Sequence, residues 1–258
     1  MQFRLLRALA PGEELTIQYT DLYLPRGLRR AKLASSHGFE CMCERCCDCQ
    51  ALAVDRRVEG FRCREPGCAG LVPPPPGVGS GEENTSPPWE WLCVQCGVDY
   101  SAKSPSLLAI AARAADEYSS AVAEQKAPGG SHEACRTRLE QLLRDVEPVL
   151  YPEHTVLYNT HHQLFSSCNA LEDTEDATDH CHAALRCLKN VYPPFHPEVG
   201  QRGKLIQPRY PSPTNDGGGG SWRRSTTHWR IRSGTAIKLV TVRNPRAAYS
   251  RLHCREAY

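Results

Sequence analysis

Residues 38–50, GFECMCERCCDCQ, place five cysteines within nine positions, Cys41 to Cys49, in a chain of 258 residues with 14 cysteines. The start, MQFRLLRALAPGEEL, has neither the apolar run nor the cleavage site of a secretory signal. No later window is apolar for long enough to cross a bilayer. The sequence therefore predicts an intracellular protein, cytoplasmic or nuclear or both, without a membrane partner. In a reducing compartment, clustered thiols indicate bound metal and not disulfides.

The three cysteines at the start of this stretch have the C-x-C-x2-C spacing of a zinc knuckle. We call them the first cluster. Because structural zinc takes four ligands, a fourth must come from elsewhere. The predicted zinc ligands of the first cluster are Cys41, Cys43 and Cys46, with the fourth position open to Cys49, Cys47, His37 or a remote cysteine.

A second cysteine group consists of two close pairs, and we call it the ribbon site. Thiolates at these spacings can reach one zinc ion from two tight turns. A glycine after each pair, Gly70 and Gly97, suits turns whose N–H groups point at sulfur. Between the pairs, the proline-rich and glycine-rich residues 72–88 predict a long surface loop. The predicted ligands are Cys63, Cys68, Cys93 and Cys96.

The rest of the chain predicts a small β-rich start followed by helices. Residues 3–20 alternate around a turn at Pro11-Gly12 and predict a hairpin, and residues 21–37 predict a short helix with Leu28, Ala31 and Leu33 facing inward. From Ser104 to Val191, apolar residues recur at helical spacing and predict four amphipathic helices packed as antiparallel pairs. The predicted apolar faces include Cys168, Cys181 and Cys187 as packing thiols.

Residues 201–258 differ sharply in charge from the rest. They hold 12 Lys and Arg against 2 Asp and Glu, a net +10, whereas the remainder of the chain carries −8. With NDGGGG and no sustained apolar face, this tail is expected to be disordered. A basic nucleic-acid tail is one interpretation; translated non-coding sequence or an atypical splice end is the favoured one. The acidic body argues against a nucleic-acid partner.

The segment GEELTIQY, a helix of about a dozen residues and then GFECMCERC resemble the end of a SET domain running into its post-SET zinc cluster. The order is similar to that in the SET-and-MYND-domain (SMYD) family of protein-lysine methyltransferases, and the helices that follow resemble its tetratricopeptide-containing members. The resemblance implies an active-site hydroxyl at Tyr19 and packing of Phe39 on S-adenosylmethionine. It also implies that the post-SET thiolates bind zinc.

This resemblance implies an α+β fold and a function. The sequence has no Asn-His-Ser-Cys segment, upstream glycine-rich cofactor strand or MYND module, so a full-length parent, and not this chain alone, is expected to methylate lysine on a histone or another protein. The alternative is a non-enzymatic zinc scaffold that binds partner proteins through its helices. The expected parts are the SET-domain end (1–37), the post-SET cluster (38–50), a zinc-ribbon-like insert (51–102), a helical domain like tetratricopeptide repeats (103–200) and the tail (201–258).

Several other polar residues are expected to be ordinary. Glu13 and Glu14 follow a turn and are expected to be solvated, and the histidines on amphipathic helices to be half-buried or solvent-facing. The predicted helix before the first cluster carries three arginines that we expect to form an exposed basic face. These are Arg26, Arg29 and Arg30.

Overall fold

The computed structural model describes residues 17–47, 52–74, 91–193 and 196–206, together with residues 5, 8 and 10–12. This part of the chain is mostly helical, with one small sheet. Its helices are α1 (Arg26–His37), α2 (Glu44–Cys47), α3 (Leu52–Val58), α4 (Ser104–Lys126), α5 (His132–Val146), α6 (Thr155–Ala170), α7 (Thr174–Val191) and α8 (Pro197–Ile206). Its strands, β1 (Phe61–Arg62) and β2 (Leu71–Val72), pair antiparallel.

The long helices form an array in which each packs against the next, from α4 to α8. The start of α5, α6 and α7 is fixed by Ser131, His154 and Asp173, whose side chains each accept a backbone N–H of the first turn. The apolar faces predicted for α4 to α7 are confirmed at the residues of each face that are buried. These buried residues include Leu107, Ala114, Leu139, Leu143, Leu157, Leu164, Cys168, Cys181, Leu188 and Val191.

One core cluster joins residues 61–74 and 91–100, which carry the ribbon site and which we call the ribbon segment, to α4, α5 and α6. Phe61, Val72 and Tyr100 from the ribbon segment are buried together with leucines of these helices. The backbone reinforces the contact, because the N–H of Arg62 donates to the Val149 carbonyl at 2.8 Å. The ribbon segment is therefore part of the helical core.

A second core cluster fastens the segment before α1 to α6 and α7. Tyr23 is 1% exposed and stacks on Tyr158 with ring centroids 4.0 Å apart. Its hydroxyl donates to the Glu153 carbonyl at 2.7 Å, and Val58 of α3 belongs to the same cluster. A large aromatic side chain buried in this way supplies much of the stabilisation of the contact.

The structure differs from several of the sequence expectations, and α1 begins at Arg26, later than the helix predicted over residues 21–37. Ile17, Gln18 and Tyr19, part of the predicted second strand, are in no strand, although Pro11-Gly12 does form a turn. Of the three residues of α1 expected to face inward, only Leu33 is buried, because Leu28 is 57% exposed and Ala31 is exposed as well. The short helix α8 was not predicted, because only ten residues interrupted by two glycines show little periodicity.

Some expectations concern residues outside the described ranges. Most of the predicted hairpin, most of the proline-rich loop and the tail beyond residue 206 are among them. Within the described ranges, no helix is both long and apolar enough to span a membrane.

Candidate metal centres and the adjoining aromatic cluster

The ribbon site brings its four predicted ligands together. The sulfur atoms of Cys63, Cys68, Cys93 and Cys96 all lie within 4.8 Å of one another. Two of the separations are 3.6 Å, between Cys63 and Cys96, and 3.7 Å, between Cys68 and Cys93. A tetrahedral zinc ion at about 2.3 Å from each sulfur requires sulfur–sulfur distances of about 3.8 Å. The donor set and its geometry therefore fit zinc.

Two tight turns position these thiols, and they differ from the prediction at Gly97, whose N–H donates to the Cys93 carbonyl at 2.9 Å and not to a sulfur. The Gly70 N–H points at the Cys68 sulfur at 3.4 Å. A Cβ at Gly70 would lie 2.5 Å from the Cys93 sulfur, so this position has no room for a side chain. Gly97 has φ +71°, a left-handed conformation that glycine adopts without strain.

The Tyr100 hydroxyl adds a contact that the sequence did not indicate. It accepts the Arg64 N–H at 2.7 Å and lies 3.3 Å from the Cys63 sulfur. Burial opposes the Cys63 thiolate, but this hydroxyl and neighbouring donors lower the Cys63 pKa to about 7. At Cys96 a Val98 N–H favours the thiolate, yet desolvation and the adjacent sulfurs raise the pKa to about 12. A bound cation would therefore favour the ionised form of Cys96 beside the other sulfurs.

The first cluster brings three ligands together. The sulfurs of Cys41, Cys43 and Cys46 lie within 4.8 Å of one another, and the Cys46 N–H donates to the Cys43 carbonyl at 2.8 Å. Three thiols at this spacing could hold zinc with one further ligand. Cys49 lies outside the described residues, and the His37 ring is not part of the group.

A buried ion-pair cluster lies beside Cys46. Arg29 of α1 donates to both oxygens of Asp55 in α3, at 2.7 and 2.9 Å, and Arg45 donates to the same carboxylate at 2.7 Å. A guanidinium nitrogen of Arg29 is 3.9 Å from the Cys46 sulfur. The expectation of an exposed Arg29 was wrong, since this side chain is 3% exposed. A buried guanidinium therefore lies beside one of the three candidate ligands of the first cluster.

Glu59 lies at the edge of the same cluster. Its burial, together with the negative charge of Asp55, raises the pKa of the Glu59 carboxyl to about 7. Asp55 within α3 is therefore paired with two arginines, whereas Glu59, the residue after α3, is a carboxyl group with a raised pKa.

Tyr19 and Phe39, the two residues carried over from the family resemblance, are in contact. Their rings meet edge to face with centroids 5.5 Å apart, and Tyr19 meets His37 in the same way at 5.4 Å. The Tyr19 ring is 43% exposed and borders a cavity of about 500 Å³. The aromatic cluster of Tyr19, His37 and Phe39 therefore connects this cavity to the segment that leads into the first cluster.

Sequence reasoning missed Asp55, Tyr100 and Arg202, which also borders the cavity. No motif marks any of them, because their partners lie far along the chain. Arg29 and Asp55, for example, are 26 positions apart.

No protein-family model matches the chain. A protein of Arabidopsis thaliana described as "Protein SET DOMAIN GROUP 41" is 40% identical over 57 residues. The matched region is 22% of this chain and 10% of that protein, so the chain spans about a tenth of the length of this relative. This similarity supports a relationship to SET-domain proteins.

Proposed function

We propose that this chain is the C-terminal portion of a SET-domain protein-lysine methyltransferase of the SMYD type. The observation that carries the proposal is the contact of Tyr19 with Phe39 immediately before the first cluster. These are the two residues to which the resemblance gives roles in catalysis and cofactor binding. The 57-residue similarity to a SET-domain protein supports the same conclusion.

In this proposal, S-adenosylmethionine bound to the full-length parent supplies the methyl group. The Tyr19 hydroxyl orients the lysine amine, and the Phe39 ring packs against the adenosyl group. Zinc at the first cluster fixes the position of Phe39, two residues before Cys41. Such positioning supplies a large share of the rate of a bimolecular transfer.

We expect this chain by itself to transfer no methyl group, because its sequence contains no Asn-His-Ser-Cys segment of the cofactor-binding core. Incubation with radiolabelled S-adenosylmethionine and histones or cell lysate checks this directly. Robust turnover by the purified chain would show that the residues present form a complete site.

A chimera tests the positive half of the proposal. A SET core that includes the glycine-rich strand and the Asn-His-Ser-Cys segment is fused ahead of Met1, and methyl transfer to protein lysine is measured. We expect activity that falls about tenfold or more in Tyr19→Phe, since a positioned hydroxyl is lost. Tyr151→Phe, which removes a hydroxyl far along the sequence in the turn before α6, is the matched control. A chimera that folds, binds the cofactor and transfers no methyl group would contradict the proposal.

The second candidate is a zinc-containing scaffold for partner proteins in the cytoplasm or nucleus. The array from α4 to α8 favours it, because stacked helices present extended surfaces for peptides. Partner capture that survives Tyr19→Phe in the full chain, without methyl transfer by the chimera, would support the scaffold over the enzyme.

A further inference from the structure

Arg202 of α8 is a buried residue with one guanidinium nitrogen that has no hydrogen-bond partner. Its side chain belongs to a residue only 9% exposed, and its Nε has no hydrogen-bond partner. Within the part of the chain that the structure describes, no carboxylate forms an ion pair with its guanidinium. The guanidinium interacts with the hydroxyl of Tyr158, but this hydroxyl is neutral and supplies no negative charge.

This guanidinium borders the cavity next to Tyr19. The volume of about 500 Å³ is in the range of sites that hold small ligands or side chains. Aromatic rings and side-chain amides that can contact a ligand line the same space. They are Tyr158, His162, Tyr192, Gln18 and Asn159.

A buried guanidinium nitrogen without an acceptor is unfavourable, because it has lost its hydrogen bond to water and gained none in exchange. An anion entering the cavity would reverse this loss. Charge-assisted hydrogen bonds from arginine to an oxyanion are among the strongest that proteins form, and they can be bidentate.

The other charges of the cavity indicate which anion fits. Lys32 adds a second cation, and Asp21 and Glu198 add two carboxylates. Asp21 already accepts the Tyr23 N–H at 2.8 Å and the Tyr192 hydroxyl. With cations and anions balanced, a single negative charge is accommodated more easily than the double charge of a phosphate.

We propose that this cavity binds a carboxylate, with Arg202 as its ion-pair partner and the rings of Tyr158 and His162 as walls for the group that carries it. The site goes beyond methyl transfer, because it needs neither the cofactor nor a lysine. The carboxylate can belong to an acidic side chain of a peptide or to a free small acid.

Calorimetric titration of the full zinc-loaded chain tests the site. The probes are two hexapeptides with blocked ends that differ only in a central Glu or Gln, with glutarate as the free acid and inorganic phosphate as the dianion. We expect the Glu peptide or glutarate to bind, and the Glu peptide to bind about tenfold or more tightly than the Gln peptide if peptides are the source. Stronger binding of glutarate would identify a free acid. Equal affinity for both peptides without glutarate binding, or a preference for phosphate, would overturn the proposal.

Substitution of Arg202 separates binding from folding. Arg202→Met should abolish carboxylate binding and raise the thermal midpoint, because it removes a buried guanidinium nitrogen that has no hydrogen-bond partner. Arg202→Lys keeps the charge and should retain weaker binding. Arg186→Met, on the exposed face of α7, should change neither property. Carboxylate binding that persists in Arg202→Met, or is equally lost in Arg186→Met, would refute the role of Arg202.

Discussion

Tyr100 contacts the ribbon site through a single hydroxyl, and the fold alone creates that contact. The side chain is fully buried, and its hydroxyl joins the Arg64 N–H to the Cys63 sulfur. Groups that hydrogen-bond to a metal ligand hold it in place and stabilise its charged form. The cysteine spacing predicted the four ligands, but it contains no information about a tyrosine whose hydroxyl contacts one of them in the folded chain.

Replacing Tyr100 with Phe should weaken zinc binding at the ribbon site by about 10-fold to 100-fold. The ring still fills the core, whereas the hydrogen bond to Cys63 is lost and the Cys63 pKa rises. Competition with a chromophoric chelator measures the affinity, and Tyr151→Phe is the control. Unchanged affinity in Tyr100→Phe would mean that the hydroxyl has no influence on the metal.

At the scale of elements, α1 and α3 are joined by charge. Arg29 and Asp55 form a bidentate pair with 3% and 4% exposed side chains, close to the first cluster. A buried pair of this kind is a weak source of net stability, but removal of one partner leaves an uncompensated charge.

Asp55→Asn should therefore lower the free energy of unfolding by about 3 kcal/mol or more. The exposed substitution Asp145→Asn on α5 should change it by less than about 0.5 kcal/mol. Urea titration of the zinc-loaded chain measures both. The expected loss of stability comes mainly from Arg29, which is left buried without its partner. The double variant Arg29→Met/Asp55→Leu should therefore recover much of the lost free energy of unfolding. No recovery would show that the pair has another role.

Helices α6 and α7 meet at two histidines that face each other. The Nδ1 atoms of His161 and His180 are 3.1 Å apart, and the Glu147 carboxylate is 3.7 Å from His161 Nε2. Burial, the charge of His180 and that of Arg186 lower the His161 pKa to about 4, and burial also lowers the His180 pKa. Two protonated rings cannot share this contact, so the native state favours the neutral forms.

This pair should make the chain sensitive to acid. Since the unfolded state binds protons first, stability is fully present above the unfolded histidine pKa of about 6.5 and is lost as pH falls below it. His161→Gln should reduce the loss between pH 7 and pH 5 by about 2 kcal/mol or less, measured by urea titration at each pH. The exposed His182→Gln should leave the pH dependence unchanged. An identical pH profile for His161→Gln and the parent chain would refute the contribution of the pair.

The helices also show what periodicity can and cannot predict. The apolar faces of α5 and α7 were predicted because burial of one face leaves a regular pattern in the sequence. The burial of Arg29 was not predicted, since a charged residue is expected to be exposed unless its buried partner is known. Similarly, Arg202 lies on a helix too short and too rich in glycine to leave a pattern, and its place beside the cavity depends on the packing of α8 against α7.

At the scale of the whole molecule, two cysteine groups are connected to one helical array by different routes. The ribbon segment shares a core with α4, α5 and α6, and Tyr23 anchors the segment before α1 to α6 and α7. Metal at the first cluster would therefore order the Tyr19–Phe39 contact, and metal at the ribbon site would support the helical core. Both consequences require that the thiolates bind zinc.

The zinc content of the purified chain, measured by plasma mass spectrometry against protein concentration, tests this requirement directly. We expect about two zinc ions per chain, one at the ribbon site and one at the three thiolates of the first cluster together with one further ligand. Cys63→Ser and Cys46→Ser should each remove one of them, whereas Cys181→Ser, at a packing thiol, should remove none. A metal-free chain that keeps its fold in strong chelator would contradict the account.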